Sequence, residues 1–427
     1  MSNELITLLQ GKEIGRVRKN ARGGINFLYD DEWRKDPAAH PLSLSMPLGA
    51  KEHGRSVTEA CLWGLLPDNE QILERWAKKF QVSARNVFSL LSNVGEDCAG
   101  AVQFVPSERL KAITSGKEDK VEWLGEADVA KRLQALREDH AAWRLPGDTG
   151  QFSLAGAQPK TALLFQNGRW GIPSGRIPTT HILKPPTGQF DGHAENEHVC
   201  LDLARELGLP TAQSKVMHFG KEVAIVLERY DRLVSGNDIL RVHQEDACQA
   251  HGIMPTKKYQ NEGGPSAYDI AELIRTYSTD RETDLDTFVG ALAFNWLIAG
   301  TDAHAKNYSL LLTGRRVRLA PLYDIASVLP YRDINLKKAK FAMKIGGKYE
   351  VSVIGLRQWE KLAKELRVEP DALIERIDEM ARKLPDLVNA ARARAEKEGL
   401  KHAIIKRLAA GLIERAGECR RRLLEKA

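Results

Sequence analysis

The sequence predicts an α+β fold of two lobes, the first rich in strands and the second helical. Short apolar runs broken by Gly and Asn turns fill the chain up to about residue 230, the punctuation of strands. Beyond it, long stretches carry apolar residues at helical spacing. Within that second part, Ala299 to Asp324 concentrates polar side chains on what reads as loop, directly after an apolar helix.

A chain of 427 residues exceeds one compact core of usual size, so two or three domains are expected. Hydrophobic residues at 43% and charged residues at 28% exclude the disordered and fibrous classes. No apolar run approaches the roughly 18 to 20 residues of a membrane helix, and Met1 to Leu5 shows no basic-then-apolar leader, so a cytoplasmic protein without a membrane partner is expected. The five cysteines are an odd number without a C-x-x-C pair, which points to reduced thiols. The net charge of +6 is uneven. From Ala381 to Ala427, thirteen Lys or Arg face six Asp or Glu, an excess of seven. This suits an acidic partner such as nucleic acid, or a solvated helix face.

In chain order, Ile6 to Leu9, Ile14 to Val17 and Ile25 to Tyr29 read as strands between turns, and the alternation Leu42 to Leu48 as another. Cys61 to Leu65 and Glu70 to Phe80 have helical spacing, with Asp68 or Asn69 as the cap. A strand ending near Val105-Pro106 closes a small α+β module, residues 1–110. Residues 111–150 form a charged linker with an exposed helix from Glu126 to His140. Residues 151–232 hold strands Phe152 to Leu164, Arg169 to Ile172, Thr180 to Lys184 and Val223 to Leu227, and a helix Glu195 to Leu207 stopped by Gly208. Residues 233–427 are predicted all-helical: Asp269 to Thr276, Leu285 to Ile298, Leu356 to Leu366, Pro370 to Arg382 and Leu400 to Lys426.

The polar stretch sets Asp302 five residues before Asn307, and a second acid, Asp324, closes the next apolar run. That Asp-x-x-x-x-Asn spacing with a later Asp is how protein kinases supply one catalytic acid and two metal-binding side chains, so the two lobes take on a protein-kinase-like aspect. A carboxylate at 302 can take a hydroxyl proton, while Asn307 and Asp324 are the hard oxygen donors Mg²⁺ prefers. Spacing alone also fits loop acids and an Asx turn. His304 and Lys306 suit loop support or phosphate contact. The small-residue run Ala155, Gly156, Ala157, Gln158, Pro159 and Lys160 permits close backbone approach to phosphates, and equally a tight strand turn. Lys184 could pair with phosphates or stand in solvent; Glu197 could orient it or serve as a first-turn acid. Glu228, Arg229 and Tyr230 end an apolar strand where a hinge would offer its backbone to a purine, and a plain strand end fits as well. Ser153 by itself is a strand serine.

Together these pieces resemble the HipA family, the serine/threonine-kinase toxins of bacterial toxin–antitoxin modules. The likeness rests on Pro41 to Leu48, Leu65 to Asp68, Gly95 to Val102, Ser153 to Leu164, Pro178 to Lys184, Gln244-Glu245-Asp246, Gly263-Gly264-Pro265, Thr301 to Asn307 and Leu322 to Ile325, in that order. The resemblance implies a two-lobed kinase-like fold that uses ATP and Mg²⁺ to phosphorylate a protein serine. It implies that Ala155 to Lys160 is the ATP loop, Lys184 the phosphate-binding lysine, Glu228 to Tyr230 the hinge and Asp302 the catalytic acid. His304 to Asn307 would contact nucleotide and metal, Tyr323-Asp324 would form the second metal site, and Ser153 would be the autophosphorylation site whose modification expels the loop. The implied target is glutamyl-tRNA synthetase, whose modification stops translation and brings growth arrest and persistence. The implied partner is a small helix-turn-helix antitoxin that binds operator DNA with the toxin. The chain departs from the family at Pro159, where an acid is common. Asn335 to Gln358 is basic but unlike the family's DNA-contacting region, so no DNA-contacting residue is implied. A catalytically idle kinase fold acting as corepressor, and a small-molecule kinase, are the alternatives.

Overall fold

In a computed structural model the described residues are 3–20, 23–143, 152–188, 190–236 and 238–425. The boundary expected between residues 150 and 151 lies outside them. The chain divides into two compact units, each assembled from separate stretches. Unit 1 comprises residues 1–185, 217–257 and 309–320; unit 2 comprises 186–216, 258–308 and 321–427.

Unit 1 opens with a five-stranded antiparallel sheet of β1 (Glu4–Leu9), β2 (Lys12–Lys19), β3 (Ile25–Tyr29), β4 (Glu52–His53) and β5 (Val102–Pro106), in the order β4-β3-β2-β1-β5. A bulge between Thr7 and Leu8 shifts the β1–β2 register, and Gly15 sits at that step. A Cβ on Gly15 would lie 2.2 Å from the Leu28 carbonyl oxygen, so only glycine fits. Helices Arg55–Gly64, Glu70–Phe80 and Val87–Val94 bury Leu62, Ile72, Trp76 and Leu91 in the same core as Phe27 and Phe104. Asn69 caps the second helix by accepting from the Gln71 and Ile72 amides.

A six-stranded sheet follows, with β6 (Lys120–Leu124), β7 (Thr161–Gln166), β8 (Arg169–Ser174), β9 (His181–Lys184), β10 (Ser214–Phe219) and β11 (Glu222–Glu228), ordered β10-β11-β9-β7-β8-β6. The hairpin β12 (Arg232–Ser235) and β13 (Asp238–Arg241) and the sheet β14 (His243–Asp246), β15 (Ser309–Thr313) and β16 (Arg316–Leu319) complete the strands of this unit.

Unit 2 is built on helices His193–Glu206, Ala267–Tyr277, Arg281–Ile298, Leu356–Glu365, Pro370–Lys397 and Ala403–Leu424. Arg281–Ile298 is buried from Phe288 to Ile298, which explains its apolar character all round. Trp296 packs edge-on against Trp359 at 5.6 Å, and Phe288 against Tyr308 at 4.9 Å. One hairpin, β17 (Lys340–Ile345) and β18 (Lys348–Glu350), belongs to the same unit.

Several expectations are corrected. Leu42 to Leu48 is a turn rather than a strand, because its amides are spent on side chains. The Leu42 amide donates to the Tyr29 hydroxyl and the Leu44 amide to Glu245, while Pro41 and Pro47 have no amide to give. Residues 153–160 are loop, and the strand begins only at Thr161. The helix Glu126–Glu138 is not simply exposed; Val129, Leu133 and Leu136 are buried. Nor are residues 233–427 all helical, since β13 to β18 fall there wholly and β12 in part. The helix starting at Pro370 runs on through Pro385 to Lys397, held by buried Leu384, Val388, Ala391 and Ala395. Packing of that apolar stripe overrides the lost amide.

Much of the basic surplus near the carboxy terminus is satisfied locally. Arg394 meets Asp202 at 2.6 Å, Arg420 meets Asp378 at 2.8 Å and Arg422 meets Glu418 at 2.7 Å. Arg415 is buried and stacks over Trp296. All five cysteines are free and buried, as the sequence suggests.

Candidate active site

In unit 2, helix Arg281–Ile298 ends in a left-handed residue, Ala299, with φ of 52°. The Gly300 amide returns to the Asn295 carbonyl at 2.7 Å, and a Cβ on Gly300 would sit 2.3 Å from the Asn295 side-chain oxygen. This tight exit throws the next residues outward from a buried helix. Asp302 is exposed there, and its carbonyl accepts from the His304 amide at 2.8 Å and from the Asn307 side-chain amide at 3.0 Å. The Tyr259 hydroxyl donates to Asp302 Oδ1 at 2.7 Å, leaving Oδ2 for a substrate proton. A short 3-10 turn, Ala305–Asn307, is fixed by the Ala305 amide on the Lys258 carbonyl and the Asn307 amide on the His304 carbonyl.

Asp324 is exposed with φ of 58°, a left-handed conformation that non-glycine residues seldom adopt. The segment carrying it is pinned on both sides. The Ala212 amide donates to the Leu322 carbonyl at 2.8 Å, and the Tyr323 hydroxyl to the Lys306 carbonyl at 2.6 Å. After it, Ser327 donates its hydroxyl to the Ile298 carbonyl, and its backbone forms a two-way clasp with the fully buried Asn196 side chain. Asn196 and Tyr259 stand far from the motif in sequence, so nothing in the local pattern could have found them.

His304 is buried beneath this loop, packed edge-on against Tyr259 at 5.1 Å. Burial lowers its pKa, while the Asp302 and Asp324 carboxylates are close enough to push it the other way. It therefore sits neutral near pH 7, and its buried Nδ1 has no hydrogen-bond partner among the described residues. The structure thus gathers Asp302, His304, Lys306, Asn307, Tyr323 and Asp324 into one rigid constellation.

The donor set suits magnesium. Asn307 spends its amide nitrogen on the Asp302 carbonyl, which frees its oxygen, and Asp324 adds a carboxylate; Mg²⁺ typically takes one or two such protein oxygens and completes its shell with phosphates and water. Among the described residues no cluster of three or more His, Cys, Asp or Glu offers a closed metal cage.

In unit 1, the segment Phe152 to Lys160 is fastened to the first module. The Ser153 amide donates to the Asp97 carbonyl and its hydroxyl to the Leu65 carbonyl at 2.7 Å, and Ser153 has no exposed surface. The Asp68 amide reaches the Gly156 carbonyl. Gly156 needs its φ of 101°, and a Cβ there would lie 2.7 Å from the Lys160 ammonium. Ala155 accepts from that ammonium at 2.8 Å, which also lies over the Trp143 ring at 4.8 Å. Gln158 and Pro159 complete the turn. Thr161 pairs with Leu183 across β7 and β9; Lys160 directly precedes β7 and Lys184 ends β9, and both are buried.

At the expected hinge, Glu228 ends β11 in register with His181, and the Tyr230 hydroxyl contacts Gln244. Arg229 is held by backbone and side chain alike. Its amide donates to the Thr180 carbonyl at 2.9 Å, its carbonyl accepts from the Arg232 amide, and its guanidinium is bidentate on Asp231. The same buried network takes in Asp97, bonded by Arg232 at 2.8 Å, by Arg241 at 3.3 Å and by the Thr179 hydroxyl at 2.6 Å.

Comparison with known proteins gives the family of the chain. Residues 152–388 match the HipA-like C-terminal domain and residues 5–105 the HipA N-terminal domain. The chain belongs to the HipA family. The serine/threonine-protein kinase toxin HipA of Shewanella oneidensis is 30% identical over 376 residues, covering 84% of this chain and 82% of that protein. Y4mE of Sinorhizobium fredii is 36% identical over 362 residues, 84% of each. The solved complex of Shewanella oneidensis HipA with HipB and operator DNA contains a chain that superposes with a TM-score of 0.81 at 26% identity, over 98% of this chain and 99% of that one. Among the described residues no helix is long and apolar enough to cross a membrane.

Proposed function

We propose that this HipA-family chain is an ATP- and Mg²⁺-dependent serine/threonine-protein kinase that works as the toxin of a toxin–antitoxin pair. The observation that carries the reading is the rigid set of exposed Asp302 and Asp324 and buried Asn307, on backbone held by hydrogen bonds on both sides. Exposed acids held this firmly are the mark of positioning for chemistry, since preorganisation removes the reorientation cost at the moment of reaction.

Asp302, oriented through Oδ1 by Tyr259, receives the proton of the acceptor serine at Oδ2 as the serine oxygen attacks the γ-phosphorus. The bond from that phosphorus to the β–γ bridging oxygen breaks, ADP leaves, and the phosphoserine forms. Asn307 and Asp324 would hold Mg²⁺, which neutralises charge on the phosphates. His304, neutral and buried, supports the loop rather than trading protons. Lys160, just before β7, and Lys184, at the end of β9, suit phosphate oxygens, with the Ala155 to Lys160 loop and the Glu228 to Tyr230 backbone as the remaining nucleotide contacts. Ser153 is proposed as an autophosphorylation site; its buried hydroxyl has no room for a phosphate, so modification would require the 152–160 segment to leave.

The family resemblance supports glutamyl-tRNA synthetase as the substrate, with growth arrest as the outcome. The operator complex of the Shewanella relative supports a helix-turn-helix antitoxin and DNA as partners. The test is incubation with γ-labelled ATP, magnesium and a cell lysate lacking this protein. A labelled band identified by mass spectrometry as a serine-phosphorylated protein is the expected result; label on a metabolite alone, or on nothing, overturns it.

A further inference from the structure

We propose that the lysine-rich hairpin β17–β18 of unit 2 is a docking face for an acidic protein segment that carries the acceptor hydroxyl. The proposal rests on the kinase reading above and adds the class of substrate it selects.

Between Arg332 and Glu350 the chain exposes Lys337, Lys338, Lys340, Lys344 and Lys348, against only Asp333 and Glu350. Two helical lysines of the unit pair with a carboxylate one turn away, Lys361 with Glu365 and Lys383 with Glu379. Among the described residues these five lysines, three in the hairpin and two just before it, form no ion pair with a carboxylate. Like charges so placed repel one another and cost the fold a little, which makes a role outside the fold the better account.

The hairpin is also rigid and tied to the reacting loop. Phe341, Ala342, Met343 and Ile345 are buried beneath the lysines. The turn Gly346-Gly347 takes φ of 54° and 85°, and a Cβ on Gly346 would come 2.1 Å from the Gln358 carbonyl oxygen, so the hairpin is seated against helix Leu356–Glu365. The Ala342 amide donates to the Thr301 carbonyl at 3.0 Å, one residue before Asp302. The Lys344 amide donates to the Gln260 side chain at 2.7 Å, and the neighbouring Tyr259 is the residue that holds Asp302. The two loops that orient the acid thus also anchor the basic strand. Whatever lies along the lysines is delivered beside Asp302.

The chemistry favours a protein over a single-stranded nucleic acid. Single-stranded nucleic acid needs open aromatic faces on which to stack, and the aromatic ring here, Tyr349, is covered by the Lys344 ammonium at 5.2 Å. A row of lysines, point charges on flexible stems, accepts carboxylates in varied geometry, as a substrate segment rich in Asp and Glu would present them.

The test uses the full chain and the triple variant Lys340→Glu, Lys344→Glu, Lys348→Glu, whose exposed positions predict an unchanged melting temperature. Fluorescein-labelled serine peptides flanked by Asp and Glu or by Lys and Arg, and a single-stranded RNA, are titrated by anisotropy at low and high salt. The expected result is that the acid-flanked peptide binds about tenfold tighter than the base-flanked one, and that the reversal or high salt abolishes the difference. Its phosphorylation should lose kcat/KM by a similar factor, through KM. Equal binding of the acidic peptide by both proteins overturns the proposal, as does a variant that loses RNA binding alone. Acid-selective binding without phosphate transfer leaves the docking face standing and removes the kinase reading instead.

Discussion

In unit 1, Asp97, Asp231, Arg229, Arg232 and Arg241 are buried and fully engaged with one another, whereas in unit 2 Asp302 and Asp324 stand exposed on loops whose backbone is locked. The first group spends its charge inward. Burial by itself raises the Asp97 carboxyl, and the Arg232, Arg229 and Arg241 cations outweigh that and hold it well below the usual range. The Asp231 carboxyl, raised by burial and lowered more by Arg229 and Arg232, comes to about 2. The second group keeps its carboxylates at the surface, on loops held by hydrogen bonds from Tyr259, Asn307, Tyr323 and Asn196. Charge buried in a network holds a structure together; charge positioned at the surface can act on something else.

Breaking the first group should strike stability. Asp97→Ala leaves three buried guanidinium groups without their shared carboxylate, and a loss of about 3–5 kcal/mol is expected in chemical denaturation. An unchanged midpoint would show that the cluster is not a support.

Glu245 sharpens the contrast within unit 1. Burial pushes its pKa up to about 8, against the pull of the Ser43 hydroxyl at 2.5 Å and the Leu44 amide at 2.7 Å. Its folded pKa is above its unfolded value of 4.5, so its contribution is full below about pH 4.5 and is lost as pH rises through about 8. Stability should fall by a few kcal/mol across that window. Glu245→Gln, which is neutral at every pH and keeps a carbonyl acceptor, should flatten the slope; a slope that persists would place its cause elsewhere.

The smallest effect belongs to the orienting hydroxyl of the second group. Tyr259→Phe should lower kcat about tenfold, leave KM for ATP unchanged and move the melting temperature little, as the loss of one exposed hydrogen bond to a charged group implies. A change in stability with kcat intact would make Tyr259 a packing residue.

These contrasts also mark what the sequence could reveal. Elements with strong local signals, such as the Asn69 cap and the helix closed by Gly208, are where the periodicity puts them. Asp302, Asn307 and Asp324 share a short, ordered motif and were therefore legible. The partners that fix them were not: Tyr259 lies 43 residues from Asp302 and Asn196 lies 131 from Ser327, distances over which no periodicity operates. The partners of Arg229 were equally hidden. Its place after an apolar strand says where the chain goes, and only the fold shows that Asp97 and Asp231 consume its guanidinium. The turn at Leu42 to Leu48 imitates a strand because alternation records which side chains are buried, while the amides answer to Tyr29 and Glu245.

The account stands most directly on one paired measurement: phosphate transfer to protein and thermal stability, taken together for the wild type, Asp302→Asn and Asp324→Asn. Each substitution should reduce transfer by roughly a thousandfold or more while leaving the melting temperature within a degree or so. Transfer that survives both substitutions, or lost transfer accompanied by a collapse in stability like that of Asp97→Ala, would contradict it.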